Sequence, residues 1–143
     1  MAEKSKKFRL RIVTPTKTAL DKAVDMVILQ TTEGQIGVLG GHEPVATILD
    51  TGILRYYDDE KIERMALFGG FAEINQEEVV VIAEVAENPD EIDAERARRA
   101  EDRARRRLGE KTADLDEMRA KMALRRALVR LDLTHVPLSS DKK

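Results

Sequence analysis

The feature that most constrains this chain is a change of hydrophobic period at Asn88-Pro89. Before it, apolar residues recur at every second position, the period of a strand with one buried face. After it they recur at every third or fourth position, the period of a helix. Phe8, Leu10 and Ile12 alternate with Arg9 and Arg11, a run that stops at Thr14-Pro15. Val24, Met26 and Ile28 alternate with Asp25 and Val27, and further strand-like runs are Gly52–Tyr57, Met65–Phe68, Phe71–Ile74 and Val79–Val85. Turn-forming clusters separate them, among them Thr32-Glu33-Gly34, Gly40-Gly41, Asp58-Asp59-Glu60, Gly69-Gly70 and Asn75-Gln76. Many short strands with no helical pattern between them predict an antiparallel β-sandwich or flattened barrel over residues 1–88, and argue against βαβ units.

Beyond the boundary, Asn88 suits a helix N-cap and Pro89 a first helical position, while Asp90 and Glu91 complement the positive end of the helix dipole. The spacing predicts a first helix from Ile92 to Leu108, with Ala97, Ala100, Ala104 and Leu108 as a thin apolar stripe and Gly109 closing it in a left-handed turn. A second helix is expected from Thr112–Asp114, where Asp114-Leu115-Asp116-Glu117 resembles a capping box. Leu115, Met118, Met122, Leu124, Leu128 and Leu131 supply its apolar face, and Pro137 lies beyond its end. The fold class is thus β + α: a sandwich, then an antiparallel two-helix hairpin over residues 89–137, then a polar tail over 138–143. Alanine methyls bury little area, at roughly 25 cal/mol per Å², so the docked and opened hairpins are expected to differ by only a few kcal/mol, as in a switch. A permanently docked helical appendage fits the composition equally well.

Charge repeats the division. The chain of 143 residues has a formal net charge of −2. Residues 1–92 carry 10 basic and 17 acidic side chains, whereas residues 93–130 carry 13 basic and 8 acidic. An acidic module joined to a basic one implies two kinds of partner. Cysteine is absent, which excludes disulfides, thiolate metal sites and cysteine nucleophiles. The polar start, Met-Ala-Glu-Lys-Ser-Lys-Lys, and the lack of a long apolar run lead us to expect no signal peptide, no transit peptide and no membrane span. The expected setting is a cytosol-like compartment, and 36% charged residues with few Asn and Gln hint at a heat-tolerant source.

Groups for catalysis are few. His42 and His135 are the two histidines, and no His/Asp/Glu cluster has metal-ligand spacing in sequence. Ser5, Ser139 and Ser140 lie in polar ends, far from any nucleophile elbow. The glycine-rich run Gly34–Gly41 lacks the order of a phosphate loop and is expected to shape tight turns. No catalytic residue and no metal are expected, and the chain is read as not an enzyme by itself.

The arginines are the strongest signal. Arg98, Arg99, Arg103, Arg105, Arg106 and Arg107 crowd the first helix, and Arg119, Arg125, Arg126 and Arg130 line the second. Like charges so close repel unless solvent screens them or an anion meets them. One reading is a solvated face with Glu95, Glu101 and Asp102 pairing locally; the others are docking on an acidic protein surface or contact with phosphates. No aromatic residue follows Phe71, so the hairpin has no platform for base stacking, which weakens a basic nucleic-acid-binding hairpin as the alternative. A smaller group consists of Glu87, Asp93 and Arg96 near the start of the first helix, with Arg126 and Arg130 one turn apart on the second. Carboxylates beside paired guanidiniums can grip a polyphosphate and an amino-bearing base, although such a set also reads as interhelix salt bridges.

At this point the residues resemble a family. Glu33-Gly34-Gln35-Ile36-Gly37-Val38-Leu39-Gly40-Gly41-His42-Glu43-Pro44 resembles the signature loop of the epsilon subunit of bacterial F-type ATP synthases. Gly69-Gly70-Phe71-Ala72-Glu73-Ile74 is similar to its second hallmark, and Ile92-Asp93-Ala94-Glu95-Arg96-Ala97 to its ID-x-x-RA motif. The resemblance runs from about Phe8 to Leu133, in order. It implies a sandwich that binds the gamma subunit and rests on the c-ring, at the cytoplasmic face of a bacterial membrane as a peripheral component. It further implies a mobile hairpin that inhibits ATP hydrolysis when extended into the alpha/beta head, through basic residues that here are Arg98, Arg99, Arg105, Arg106, Arg107, Arg119 and Arg125. ATP as a regulatory ligand would fall on Glu87, Asp93, Arg96, Arg103, Arg126 and Arg130, with the carboxylates accepting hydrogen bonds and the arginines engaging phosphates. Gln35 and His42 would lie on the side of gamma and the ring. Two positions depart from the family pattern: Gln35 stands where an acidic residue is common, and Gly40 where proline is usual. Both bear on ring contact.

Overall fold

The computed structural model describes residues 6–110 and 116–135. Thr112, Asp114 and Leu115, Pro137, the tail and the side chain of His135 lie outside that description, so the expectations placed on them stay untested. Ten strands come first: β1 Phe8–Val13, β2 Thr18–Val24, β3 Met26–Thr31, β4 Gly34–Leu39, β5 Val45–Leu49, β6 Gly52–Asp58, β7 Lys61–Leu67, β8 Gly70–Ile74, β9 Glu78–Ile82 and β10 Ala86–Glu87. A 3₁₀ turn over Pro89–Glu91 leads into α1 Ala94–Glu110 and α2 Glu117–His135.

The strands form one curled sheet in the order β10-β7-β6-β3-β5-β8-β9-β1-β2, with β4 paired to β3. Its curl brings β2 back against β6, where Lys22 Nζ sits 2.8 Å from Asp58 and 5.7 Å from the centre of the Tyr56 ring. The result is a nearly closed sandwich, as the periodicity predicts. All pairs are antiparallel except β1–β9, where Leu10 and Ile12 run beside Val79 and Val81 in parallel. The alternating apolar residues meet inside: Leu10, Ile12, Val24, Val27, Leu29, Val79 and Val81 are all fully buried.

Several details differ from expectation. The run Val24, Met26, Ile28 is not one strand face. Asp25 lies between β2 and β3, and the inward phase shifts there, so Val27 and Leu29 are buried while Met26 and Ile28 are half-buried. The glycine-rich run is mostly strand: β4 pairs along the whole of β3, from Met26–Leu39 to Thr31–Gly34, leaving Gly40-Gly41 as the turn. Asn88 does not cap the long helix. Its N–H donates to Glu91 Oε1 at 2.8 Å, closing the 3₁₀ turn, and Asp93 caps α1 instead by accepting the Arg96 N–H at 3.1 Å. Asp116 does the same for α2 toward the Arg119 N–H, at 3.1 Å. Gly109 lies inside α1, which runs on to Glu110, and does not take a left-handed turn.

The hairpin makes an apolar region of its own, separate from the sandwich core. The α1–α2 seam is alanine: Ala97, Ala104, Ala120 and Ala127 are buried, with Leu131 below them. The expected large face of α2 is not that seam, because Met118, Met122 and Leu128 are 67%, 52% and 38% exposed. Alanine on both helices lets the backbones approach closely, and side chains of methionine size have no room between them. α2 is also the helix that seats on the sandwich, over β6 and β7, and its Leu133 is fully buried.

Candidate functional site

The residues singled out for a ligand lie on the hairpin and, for Glu87, on the sheet edge, and the structure divides them. Arg103 and Arg126 face each other across the α1–α2 seam. With Arg107 and Arg119 they line a cleft of about 260 Å³ whose floor is Ala100, Ala104, Ala120 and Ala123. Among the described residues, none of these four arginines makes an ion pair or a side-chain hydrogen bond. Four guanidiniums around one apolar floor repel one another, and a polyanion in the cleft would relieve that repulsion.

Glu87 and Arg130 meet each other instead. Glu87 is held at the sheet edge on β10, beside Ala66 of β7. It accepts a fork from Arg130, Nε to Oε1 at 2.8 Å and Nη2 to Oε2 at 3.2 Å. The guanidinium also lies 4.5 Å from the centre of the Phe68 ring, a cation–π contact. This is a strand–helix pair, not the interhelix bridge that sequence spacing offered. Asp93 is engaged as the α1 cap, and the exposed Arg96 lies on the Arg103 flank, two turns nearer the helix start. The structure therefore joins Glu87 to Arg130 and Arg103 to Arg126, and leaves Asp93 and Arg96 at the entrance to α1.

The arginines expected to form an inhibitory face also separate. Arg98, Arg99, Arg105 and Arg106 lie on the outside of α1, where Arg105 pairs with Glu101 at 2.9 Å and Arg99 loosely with Glu95 at 3.8 Å. Arg107 and Arg119 turn into the cleft. Arg125 reaches the sandwich and donates to Asp50 Oδ2 at 3.0 Å and to the Thr51 carbonyl at 3.2 Å. Sequence spacing gave no sign of that contact, because Asp50 lies 75 positions away.

On the sandwich, Gln35 is an exposed residue early in β4, and His42 follows the other end of the same strand, with its Nδ1 2.7 Å from the Glu43 carbonyl. The departure at Gly40 has a local reason: a Cβ there would run into the Lys6 carbonyl, so a side chain is excluded unless the segment before β1 moves. A feature that sequence reading missed is an outward apolar row. Ile48, Phe71 and Ile82 are register partners across β5, β8 and β9, and Val13 continues the row on β1. Ile48 is 61% exposed and Ile82 50%. The signal was in the alternation, since both phases of these strands carry apolar residues.

Near the β6–β7 turn, Asp25, Asp58 and Asp59 place carboxylate oxygens within 4.8 Å of one another. Lys7 Nζ sits among them at 3.0, 3.2 and 3.3 Å and supplies the counter-charge. Hydrogen bonds from Lys22 and then Lys7 hold the Asp58 carboxyl below the ordinary aspartate range, and the lysines are raised in turn. The cluster fastens the segment before β1, and β2, to the β6–β7 hairpin.

Comparison with known proteins covers both halves. Residues 7–89 match the family model described as ATP synthase, Delta/Epsilon chain, beta-sandwich domain, and residues 90–134 match the long alpha-helix domain of the same chain. An ATP synthase epsilon chain of Carboxydothermus hydrogenoformans is 50% identical over 106 residues, covering 74% of this chain and 79% of the relative. One from Trichodesmium erythraeum is 45% identical over 125 residues, covering 85% and 91%. Among solved structures, a chain of the Euglena gracilis mitochondrial ATP synthase, OSCP/F1/c-ring, superposes with a TM-score of 0.80 at 25% identity, covering 94% of this chain and 85% of that one. A chain from the Tetrahymena thermophila central stalk/c-ring assembly shares the fold, with a TM-score of 0.59 at 15% identity over 93% and 97% of the two chains.

Proposed function

Because this chain belongs to the epsilon chains of F-type ATP synthases, we propose that it is a non-catalytic central-stalk subunit whose sandwich docks and whose hairpin regulates. The sandwich binds the gamma subunit through the Ile48–Phe71–Ile82–Val13 row, and the Gln35 and His42 ends of β4 lie toward the c-ring. No described helix is long and apolar enough to cross a membrane, which fits a peripheral subunit held on the cytoplasmic face by its partners. The hairpin restrains ATP hydrolysis by opening into the alpha/beta head, and ATP on its compact form opposes that opening.

The observation that carries this reading is the division of the molecule. The hairpin packs through a thin alanine seam outside the sandwich core, on β6 and β7, while the apolar row occupies β5, β8, β9 and β1. The hairpin can therefore leave its seat without disturbing the docking face. Its cleft of four arginines suits the polyphosphate of a nucleotide in one state and an acidic protein surface in the other. The test is truncation after Asn88 in the assembled complex. Assembly should persist and hydrolysis should rise; a truncated complex that hydrolyses ATP no faster would refute the inhibitory role.

A further inference from the structure

We infer that Arg125 and Arg130 of α2 form a two-point latch that holds the hairpin closed on the sandwich with no nucleotide bound. The inference deepens the regulatory reading above and depends on it only for its consequence; the latch stands on contacts within the chain. Arg125 donates to Asp50 Oδ2 at 3.0 Å and to the Thr51 carbonyl at 3.2 Å, both between β5 and β6. Arg130 forks onto Glu87 at 2.8 and 3.2 Å and stacks over Phe68. The two arginines are five residues apart, about 140° of helix rotation, and the fully buried Leu133 falls between them on the helix that packs over β6 and β7. Each anchor uses a different part of the sheet. Together they fix α2 in both position and rotation, which a single contact cannot do.

Two consequences follow. Arg125 serves either the closed latch or an acidic partner in the head, never both. Glu87 and Arg130, two of the residues assigned to ATP, are already spent on each other, so a nucleotide that uses them must first open that half of the latch. The Asp50–Arg125 half shares no residue with the nucleotide site, and it alone tests closure without touching ligand contacts.

The absence of cysteine from the sequence allows clean double labelling of the full chain, with spin labels at Lys61→Cys on the sandwich and Met118→Cys on the outer side of α2. Distances are read without nucleotide. The parent chain should show one narrow distance distribution. Asp50→Asn should raise the open fraction about fivefold, Glu87→Gln about tenfold, and the double variant more than either; 1 M salt should act in the same direction. Exchanging the charges, Asp50→Arg with Arg125→Asp, should restore closure. A parent chain that is open until ATP is added, or a double variant as closed as the parent, overturns the latch, and a charge exchange that leaves the hairpin open overturns its Asp50–Arg125 half. Calorimetry with ATP on the parent chain separates the two ideas: failure of ATP to bind removes the nucleotide reading and leaves the latch intact.

Discussion

Gly70 offers a quantitative test of how the sandwich presents its two faces. The Gly69-Gly70 turn joins β7 to β8 and sets Phe68 beneath Arg130 while Phe71 points out into the apolar row. Both glycines have positive φ, +78° at Gly69 and +136° at Gly70, but their surroundings differ. A Cβ at Gly69 meets nothing within 4 Å, whereas at Gly70 it would overlap the Ile82 carbonyl oxygen and stand 3.1 Å from Ala83 Cα. Gly69→Ala therefore pays only for backbone conformation, about 1 kcal/mol. Gly70→Ala pays about 1–2 kcal/mol for a φ that alanine rarely adopts. It also pays for displacing the end of β9, a rigid backbone neighbour, about 2 kcal/mol by analogy with overpacked cores. The expected total is about 3–4 kcal/mol, a melting temperature lower by about 15 °C against about 4 °C for Gly69→Ala. Thermal and urea unfolding of the two variants side by side decide the matter. If Gly70→Ala falls within about 1 kcal/mol of Gly69→Ala, the close approach of β9 to this turn is not what requires glycine.

Two further outcomes are expected. Because Asp93 caps α1, Asp93→Ala would mix loss of a cap, about 1 kcal/mol, with loss of a ligand carboxylate, whereas Asp93→Ser keeps the cap. Asp93→Ser and Arg126→Gln should each weaken ATP binding at least about tenfold in calorimetry while leaving sandwich melting unchanged, and equal affinity in both variants would remove the site assignment. The second outcome concerns pH. Asp58, through Lys22 and Lys7, and Glu91, through the Asn88 N–H and Lys17, are held below the ordinary carboxylate range. A depressed carboxylate stabilises the fold above its unfolded pKa and loses that contribution as pH falls through the folded value. Stability should therefore decline on acidification below the usual carboxylate range, and Lys7→Met with Lys22→Met should flatten that limb; an unchanged acid limb would show that the cluster contributes nothing.

The two-part plan was legible because each part follows a single period. Phe8, Leu10 and Ile12 are buried as their alternation requires, and the Asn88-Pro89 boundary separates strands from helices. Strands β2 and β5 were not legible: β2 mixes exposed and half-buried positions, and β5 is apolar in both phases because one phase feeds the outward row. Glycine in β4 reads as turn because its cost in a strand is local, and pairing along all of β3 outweighs it. The alanine seam was half visible, on α1 alone. On α2 the large residues drew attention by hydropathy, yet close packing selected the small ones. For the site, sequence spacing brought Arg130 and Glu87 into one group and missed that they neutralise each other. The family resemblance, for its part, implied a single surface for Arg107, Arg119 and Arg125, which the structure splits between a cleft and a latch.

The parallel pairing of β1 with β9 has a consequence for biosynthesis. The first strand, ending at Val13, finds its neighbour only when Glu78–Ile82 has been made. At about 5–20 residues per second it waits several seconds on the ribosome with one side held only by β2. The sandwich cannot close until that late strand emerges, and contacts of such long sequence separation slow folding. The helices follow last in synthesis and so meet a finished seat. A ribosome-stalled chain ending near Asp93, with its last residues still in the exit tunnel, should remain sensitive to protease, whereas one stalled after a long linker should not.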